Sequence, residues 1–270
     1  MKKKLLGLPY YLWCLIFILA PLCMVFYYGL TDKNGIFTFQ NVSAISSPEH
    51  LKALLLALVL SLIATFICLL LSYPLSMILC GMKKGQNSLM VFIFILPMWM
   101  NFLLRTLAWQ TLLEKTGVIN NILSFLHLPE LAIINTPYAI VLGMVYNFLP
   151  FMVLPIYNSL AKIDENVIQA ARDLGANSIQ VFLHITLPLS TPGIISGITM
   201  VFVPALTTFV ISKLLGGSKI LLIGNVIEEE FIQASNWHLG SGLSIVLMLF
   251  ILINMALSAL FDKEGEGSFL

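Results

Sequence analysis

The stretch QAARDLGANSIQVFLHITLPLSTPGI, residues 169–194, decides how the whole chain is read. It places Arg172, Asp173, paired alanines, a central Gly175 and closing prolines in a chain that is 59% hydrophobic and only 10% charged. An ordinary soluble domain carries about 25% charged residues. The bulk of this chain is therefore suited to lipid, and residues 169–194 are the exception that needs a reason.

A bilayer core about 30 Å thick requires about 20 apolar residues per helix. Windows of that length predict six spans, at residues 8–30, 51–80, 88–112, 137–160, 192–212 and 239–261. Ser47-Pro48, Thr136-Pro137 and Thr191-Pro192 each read as a capping residue followed by a proline at the first helical position, where a missing N–H costs nothing. The expected fold is all-α and integral to the membrane, with six transmembrane helices in a single domain over residues 1–270. The first span follows Lys2, Lys3 and Lys4, but its apolar run is too long for a signal peptide and lacks a small-residue cleavage site, so an uncleaved anchor is expected.

An even number of spans puts both termini on one side. Lys2 to Lys4, Lys83, Lys84, Lys162, Arg172 and Lys263 share that side, against Lys33, Lys52, Arg105, Lys115, Lys213 and Lys219 on or near the other. The clustering makes the first side cytoplasmic. Cys14, Cys23, Cys68 and Cys80 fall in the first two spans and serve as small apolar residues rather than as disulfide or metal ligands. A net charge of +1 gives no reason to expect a nucleic-acid partner.

The segment between the fourth and fifth spans is the longest on the cytoplasmic side. Ile163, Val167, Ala170, Ala171 and Leu174 recur at helical spacing after a capping Asp164. Gly175 suits a left-handed helix end, and Asn177 or Ser178 can cap a second short helix carrying Ile179, Phe182 and Leu183. Small Ala170 and Ala171 beside Gly175 make a low surface that another backbone can approach, with Gln169, Arg172 and Asp173 around it. On spacing alone, a docking surface and a helix lying flat on the headgroups are equally good readings.

The order of these residues resembles the cytoplasmic loop of bacterial ABC importer permeases: Glu-Ala-Ala, three residues, Gly, nine residues, then Ile-x-Leu-Pro. Here Gln169, Ala170, Ala171, Gly175, Ile185, Leu187 and Pro188 match in order and spacing, with Gln in place of Glu. The resemblance extends to the B-type permease subunit of the spermidine/putrescine class through Leu96 to Asn101 with Arg105, Val145 to Met152, Leu215 to Gly217 and Leu222 to Asn225. It implies a type I importer permease whose loop, about residues 161–188, couples to an ATPase. It also implies a second homologous permease, two ATP-binding subunits that carry ATP and Mg, and an extracytoplasmic solute-binding protein. Pro188 and Pro192 are expected to interrupt the helix where the loop's motion enters the fifth span. Gln169 can offer only a neutral acceptor where Glu offers a charged one, and Asp173 one turn later is the candidate to compensate.

The expected spans hold no Asp or Glu, so a deep anionic site for a polycation is not expected in this subunit. Trp99, Asn101, Tyr146, Asn147, Phe151 and Tyr157 are candidates for a path of aromatic and carbonyl contacts, although packing explains each one more simply. Glu228, Glu229 and Glu230 are candidates to attract a cation or hold the binding protein, against the plainer reading of a solvated charge run. Arg105 is costly in a span unless paired or able to reach the interface.

Three other readings compete. An importer for sulfate, thiamine or an organic phosphate would need an intramembrane anion site, for which only Arg105 is available. A stand-alone carrier or channel would lack the intramembrane acids of ion coupling, any evident inverted repeat, and a use for the loop. An intramembrane enzyme could pair Ser159 with Lys162, but Lys162 faces cytoplasmic water, and His50, His127, His184 and His238 share no metal-ligand spacing. No phosphate-cradling Gly-x4-Gly-Lys-Ser/Thr loop occurs in the chain.

Overall fold

A computed structural model describes residues 8–82 and 86–267. Lys2 to Lys4, Lys83 and Lys84, which carried much of the orientation argument, lie outside the described residues. In chain order the helices are α1 (Leu8–Cys14), a π turn (Leu15–Leu19), α2 (Ala20–Gly29), α3 (Gln40–Ser43), α4 (Pro48–Gly81) and α5 (Gln86–Ile95). A 3-10 turn (Leu96–Trp99), α6 (Phe102–Leu113), α7 (Val118–Phe125), α8 (Pro137–Leu160), α9 (Glu165–Asp173) and α10 (Ser178–Val181) follow. A second π turn (Phe182–Thr186), α11 (Leu187–Thr207), α12 (Val210–Leu215), α13 (Ile223–Ile232) and α14 (Trp237–Gly267) complete the chain. Among the described residues the only β pairing is an isolated bridge between Thr31 and Phe37.

Five helical stretches are long and apolar enough to cross a membrane among the described residues: Tyr10–Gly29, Pro48–Gly81, Pro137–Leu160, Ser178–Thr207 and Trp237–Ser258. The helices start at Pro48 and Pro137 as the Ser47-Pro48 and Thr136-Pro137 pairs predict, although the Thr136 side chain makes no cap bond and donates to the Ile133 carbonyl instead. Two spans differ from the expectation. The third is broken: Leu89–Trp99 and Phe102–Phe125 meet at 87°, and they make a sixth span only if the bent pair is counted as one. The fifth does not begin at Pro192, which lies inside α11, and it ends at Thr207 rather than at Ser212. Hydropathy misses the break because both halves are apolar, and it misses the early start of the fifth span because Ser178, Gln180 and His184 dilute its first turns.

By packing, the chain divides into two units: one up to Leu55 together with Ile223–Ile253, the other Leu56–Leu222 with the chain from Asn254. In the second unit α8 is the central helix, with Met144, Met152 and Ile156 fully buried. Its partner seam on α4 is a column of small polar residues. The Cys68 thiol donates to the Val145 carbonyl (3.8 Å), the Ser76 hydroxyl to Val153 (3.2 Å) and the Cys80 thiol to Tyr157 (3.7 Å). The constant offset in residue number means the two helices run parallel in register. In lipid such small side chains let backbones approach closely, which apolar bulk would prevent. The cysteines are therefore seam residues, and all four are free. On its other side α8 meets α11, where a side chain at Gly193 would stand 2.6 Å from the Pro155 carbonyl oxygen.

In the first unit, Gly29 and Gly242 set the close approach of α2, α3 and α14. A Cβ at Gly242 would lie 2.5 Å from the Asn41 carbonyl group. Asn41 Nδ2 donates to the Thr31 carbonyl (2.9 Å), and the His238 ring nitrogen Nδ1 lies 2.7 Å from the same oxygen. Asn41 Nδ2 also donates to the Gly29 carbonyl (3.3 Å) and His238 Nδ1 lies 3.0 Å from that of Tyr28, so the last carbonyls of the first span meet side chains of α3 and α14.

The loop beyond Thr31 is closed by Asp32, whose Oδ1 accepts from the backbone N–H groups of Asn34 and Ile36, both at 2.9 Å. The Ile36 N–H, followed by the Asn34 donors, holds this exposed carboxyl below the usual range. A lowered folded pKa means that the loop's stabilisation is present at neutral pH and is lost as pH falls through that folded value. Protection of the Ile36 amide against hydrogen exchange should therefore persist from pH 7 to about 4, the ordinary Asp value, and vanish only below it. Early loss, well above that pH, would contradict the assignment.

Candidate functional site

Residues 164–181 form two capped helices joined at one glycine. Asp164 caps α9 by accepting from the Asn166 N–H at 3.0 Å. Acidic Glu165 lies in its first turn and basic Arg172 in its last, each complementing the helix dipole. At the other end, Gly175 adopts φ +87°. Its N–H donates to the Arg172 carbonyl (2.9 Å), while that of Ala176 reaches back to Ala171 (3.0 Å). This pair of bonds is the Schellman arrangement, which requires a left-handed residue and favours glycine. Asn177, rather than Ser178, caps the next helix: its side chain and backbone exchange two 2.8 Å bonds with Gln180, a reciprocal capping box.

The surface this produces is apolar at its tip. No residue of α9 is buried. Leu174 is 90% exposed and Ile179 68%, and Val167 and Leu183 are exposed as well. Gln169, Ala170, Arg172 and Asp173 are open to solvent around them, with Ala171 half-buried. Further on, Ile185 and Leu187 are half-buried and Pro188 is exposed.

The expected break at Pro188 and Pro192 does not occur. The helix runs on from Ser178 to Thr207, and the irregularity is the π turn Phe182–Thr186 immediately before Pro188. The wide turn leaves room for the Pro188 ring, so the helix continues past it although Pro188 offers no N–H to the ladder. The short second helix is in effect the start of the fifth span.

The candidate path residues do not share one environment. Trp99 is 77% exposed and lies edge-on to Phe92 at 5.9 Å. Asn101 is a helix cap: its Oδ1 accepts from the N–H groups of Leu103 (2.9 Å) and Leu104 (3.2 Å), starting α6 after the 87° break. Tyr146 is partly exposed and packs on Trp109, and Phe151 adjoins Phe148, which stacks on Phe102. Tyr157 is half-buried. Asn147 is enclosed at 1% exposure, with Nδ2 bound to the Gly143 carbonyl and Oδ1 without a partner. In the first unit, Glu228, Glu229 and Glu230 are half-buried on α13, which a fully solvated charge run would not be.

Arg105 is enclosed and meets no carboxylate among the described residues. It is 7% exposed, and its Nη1 donates to the Pro97 carbonyl at 2.9 Å across the break, while Nε has no partner. The carbonyl end of one half-helix is thus held by a cation, and the amide end of the next by the Asn101 cap. The sequence reading missed this joint, although Pro97 followed by Asn101 is a stop signal and a start signal in order.

The Asn101 geometry predicts which role dominates. Asn101→Ala should destabilise the start of α6 by about 1 kcal/mol, and Asn101→Ser, which keeps a capping oxygen, by much less. Thermal melts of the two purified variants check this, and equal melts would exclude the cap as the reason for Asn101.

Apolar helices long enough to span a membrane, with a capped and exposed loop leading into the fifth of them, have the architecture of an ABC importer permease. The chain belongs to the family of binding-protein-dependent transport system inner membrane components, whose pattern matches residues 5–264. It is 36% identical over 267 residues to the spermidine/putrescine transport system permease protein PotB of Haemophilus influenzae, covering 94% of this chain and 93% of that one. The Escherichia coli PotB is also 36% identical, over 94% of this chain and 97% of its own length. Among solved structures, a bacterial ABC transporter involved in the import of the acidic polysaccharide alginate superposes with a TM-score of 0.82 at 19% identity, covering 97% of this chain and 95% of that one. At that identity the likeness establishes the type I permease fold alone.

Proposed function

We propose that this chain is a permease subunit of an ATP-driven importer of polyamines, spermidine and putrescine, handed over by an extracytoplasmic solute-binding protein. The observation that carries this reading is identity of 36% with PotB proteins over nearly the full length of both partners. The chain acts in the plasma membrane of a bacterium as one permease domain over residues 1–270, with both termini cytoplasmic. It pairs with a second homologous permease and two ATP-binding subunits, which bind ATP and Mg and carry out hydrolysis. No cofactor or metal belongs to this chain, and lipid is its remaining partner.

In this reading Gln169 to Asp173, Gly175, Ile185, Leu187 and Pro188 form the ATPase-coupling element. Support comes from the exposed apolar tip, which water alone does not favour, and from Asp173. An acid in the last turn of a helix opposes the dipole, so its position is better explained by pairing with a cation on the ATPase. The solute, a flexible polycation, moves past aromatic faces including Trp99, Tyr146, Phe151 and Tyr157. Asn101 contributes its carbonyl oxygen only by leaving its cap bonds, whereas Asn147 Oδ1 is already unpaired but enclosed. Glu228 to Glu230 draw the cation, or the binding protein, to the outer side.

Uptake of labelled spermidine into cells expressing the chain with its neighbouring genes tests the reading. Putrescine should compete, whereas sulfate, thiamine and an organic phosphate should not, and Asp173→Ala should remove ATP-driven uptake. Competition by one of the anions instead would replace the polyamine assignment, and full uptake by Asp173→Ala would remove Asp173 from the coupling element.

A further inference from the structure

The joint between the loop and the fifth span is the weakest part of an otherwise continuous helix. The π turn Phe182–Thr186 widens one turn, and Pro188 and Pro192 each withhold an N–H from the backbone ladder in the two turns that follow. A pull on the loop would be absorbed there unless something outside the helix stiffened it. One side chain reaches both sides of the weak segment. Tyr73 of α4 is 9% exposed, and its ring stands edge-on to Phe182, 5.6 Å away at 85°. Its hydroxyl lies 2.8 Å from the Ser190 hydroxyl.

Ser190 is completely enclosed, and its own proton goes to the Leu187 carbonyl at 3.0 Å. The Tyr73 O–H must then be the donor to Ser190, which makes a directed chain from Tyr73 through Ser190 to Leu187. The contacts grip the helix at the first residue of the π turn and again just past its end. On α4 itself the residue after Tyr73 is Pro74, inside the helix, so α4 also lacks a backbone bond at this level. Two locally weakened helices are pinned to each other by one phenol.

We propose that Tyr73 is a positioning residue of the transport cycle: it braces the π turn, so that movement of the cytoplasmic loop passes into the fifth and second spans together instead of bending the joint. This inference rests on the coupling reading of the loop. The hydrogen bond supplies direction and the ring contact supplies bulk, so the two parts can be removed separately.

The test uses the complete importer in liposomes, with ATP hydrolysis and spermidine uptake measured on the same preparation. Tyr73→Phe keeps the ring and should leave assembly and hydrolysis near wild type while lowering uptake per ATP about fivefold, the factor one neutral hydrogen bond is worth. Ser190→Ala should do the same, and the double variant should do no more than either one, because both remove one interaction. Additive losses, an unchanged uptake-to-hydrolysis ratio, or equal falls in hydrolysis and uptake would overturn the brace. Tyr73→Phe is the smallest available change, so its folding is not in question in the way that of Tyr73→Ala is. If Gly175→Val also keeps full uptake, the coupling reading itself fails. If Gly175→Val uncouples the complex and Tyr73→Phe does not, only the brace is lost.

Discussion

An importer carrying Gly175→Val is expected to lose its ATPase subunits on mild detergent extraction, and its ATP-driven uptake with them. Gly175 holds φ +87°, a conformation that costs an L-residue about 1–2 kcal/mol and a β-branched one more. Nothing lies within 4 Å of the place a Cβ would occupy, so the penalty is one of backbone geometry and not of crowding. The Schellman bonds from Gly175 and Ala176 cannot form without that conformation, and the relation of Leu174 to the Asn177 cap changes. Each 1.4 kcal/mol is a factor of ten in population, so Gly175→Ala should weaken ATPase retention about tenfold and Gly175→Val further. Gly175→Asn should recover part of the loss, since asparagine tolerates the left-handed region. Weighing the ATPase that co-purifies with each variant gives the result directly. Retention that follows side-chain volume rather than left-handed tolerance would contradict the argument.

Gly193→Ala is the second large effect, and here the cause is space. An added Cβ would stand 2.6 Å from the Pro155 carbonyl oxygen and 2.6 Å from the Ser159 Cβ. Neither atom can swing away, because one is backbone beside a proline and the other is attached to the helix directly. Overpacking of this kind costs about 1–3 kcal/mol, and Gly193→Val should exceed that and leave little folded chain. The same addition at Gly81, where nothing lies within 4 Å, should be nearly neutral. Yield and melting temperature of the three variants in one detergent decide the matter. If Gly193→Ala and Gly81→Ala melted together, α8 and α11 would not be packed as described.

Much of the loop was legible without coordinates because its signals are local. Asp164, Gly175 and Asn177 each act on amide groups within a few residues, and a cap or a left-handed turn depends on little else. The span starts at Pro48 and Pro137 are local too, because proline suits the first helical position without a missing bond. The third and fifth spans were misread for the opposite reason. The third span is apolar on both sides of its break, and the first turns of the fifth carry Ser178, Gln180 and His184, so hydropathy marks neither boundary. At the 87° break Arg105 lies back against the Pro97 carbonyl, and the π turn lies against Tyr73, more than a hundred residues earlier in the chain.

The sequence by itself determined that this chain lives in lipid, how many times it approaches spanning it, and that one polar loop with a glycine end faces water. These follow from composition and from interactions between near neighbours. Tertiary structure alone decided which helices run in parallel register along the Cys68, Ser76 and Cys80 seam, and that Gly193 lies against Pro155 and Ser159. It also decided that Asn147 is enclosed while Trp99 is not. In a membrane chain almost every helix is apolar on all sides, so hydrophobicity cannot say which face meets protein and which meets lipid. That choice is made by small side chains and buried hydrogen bonds between residues far apart in sequence.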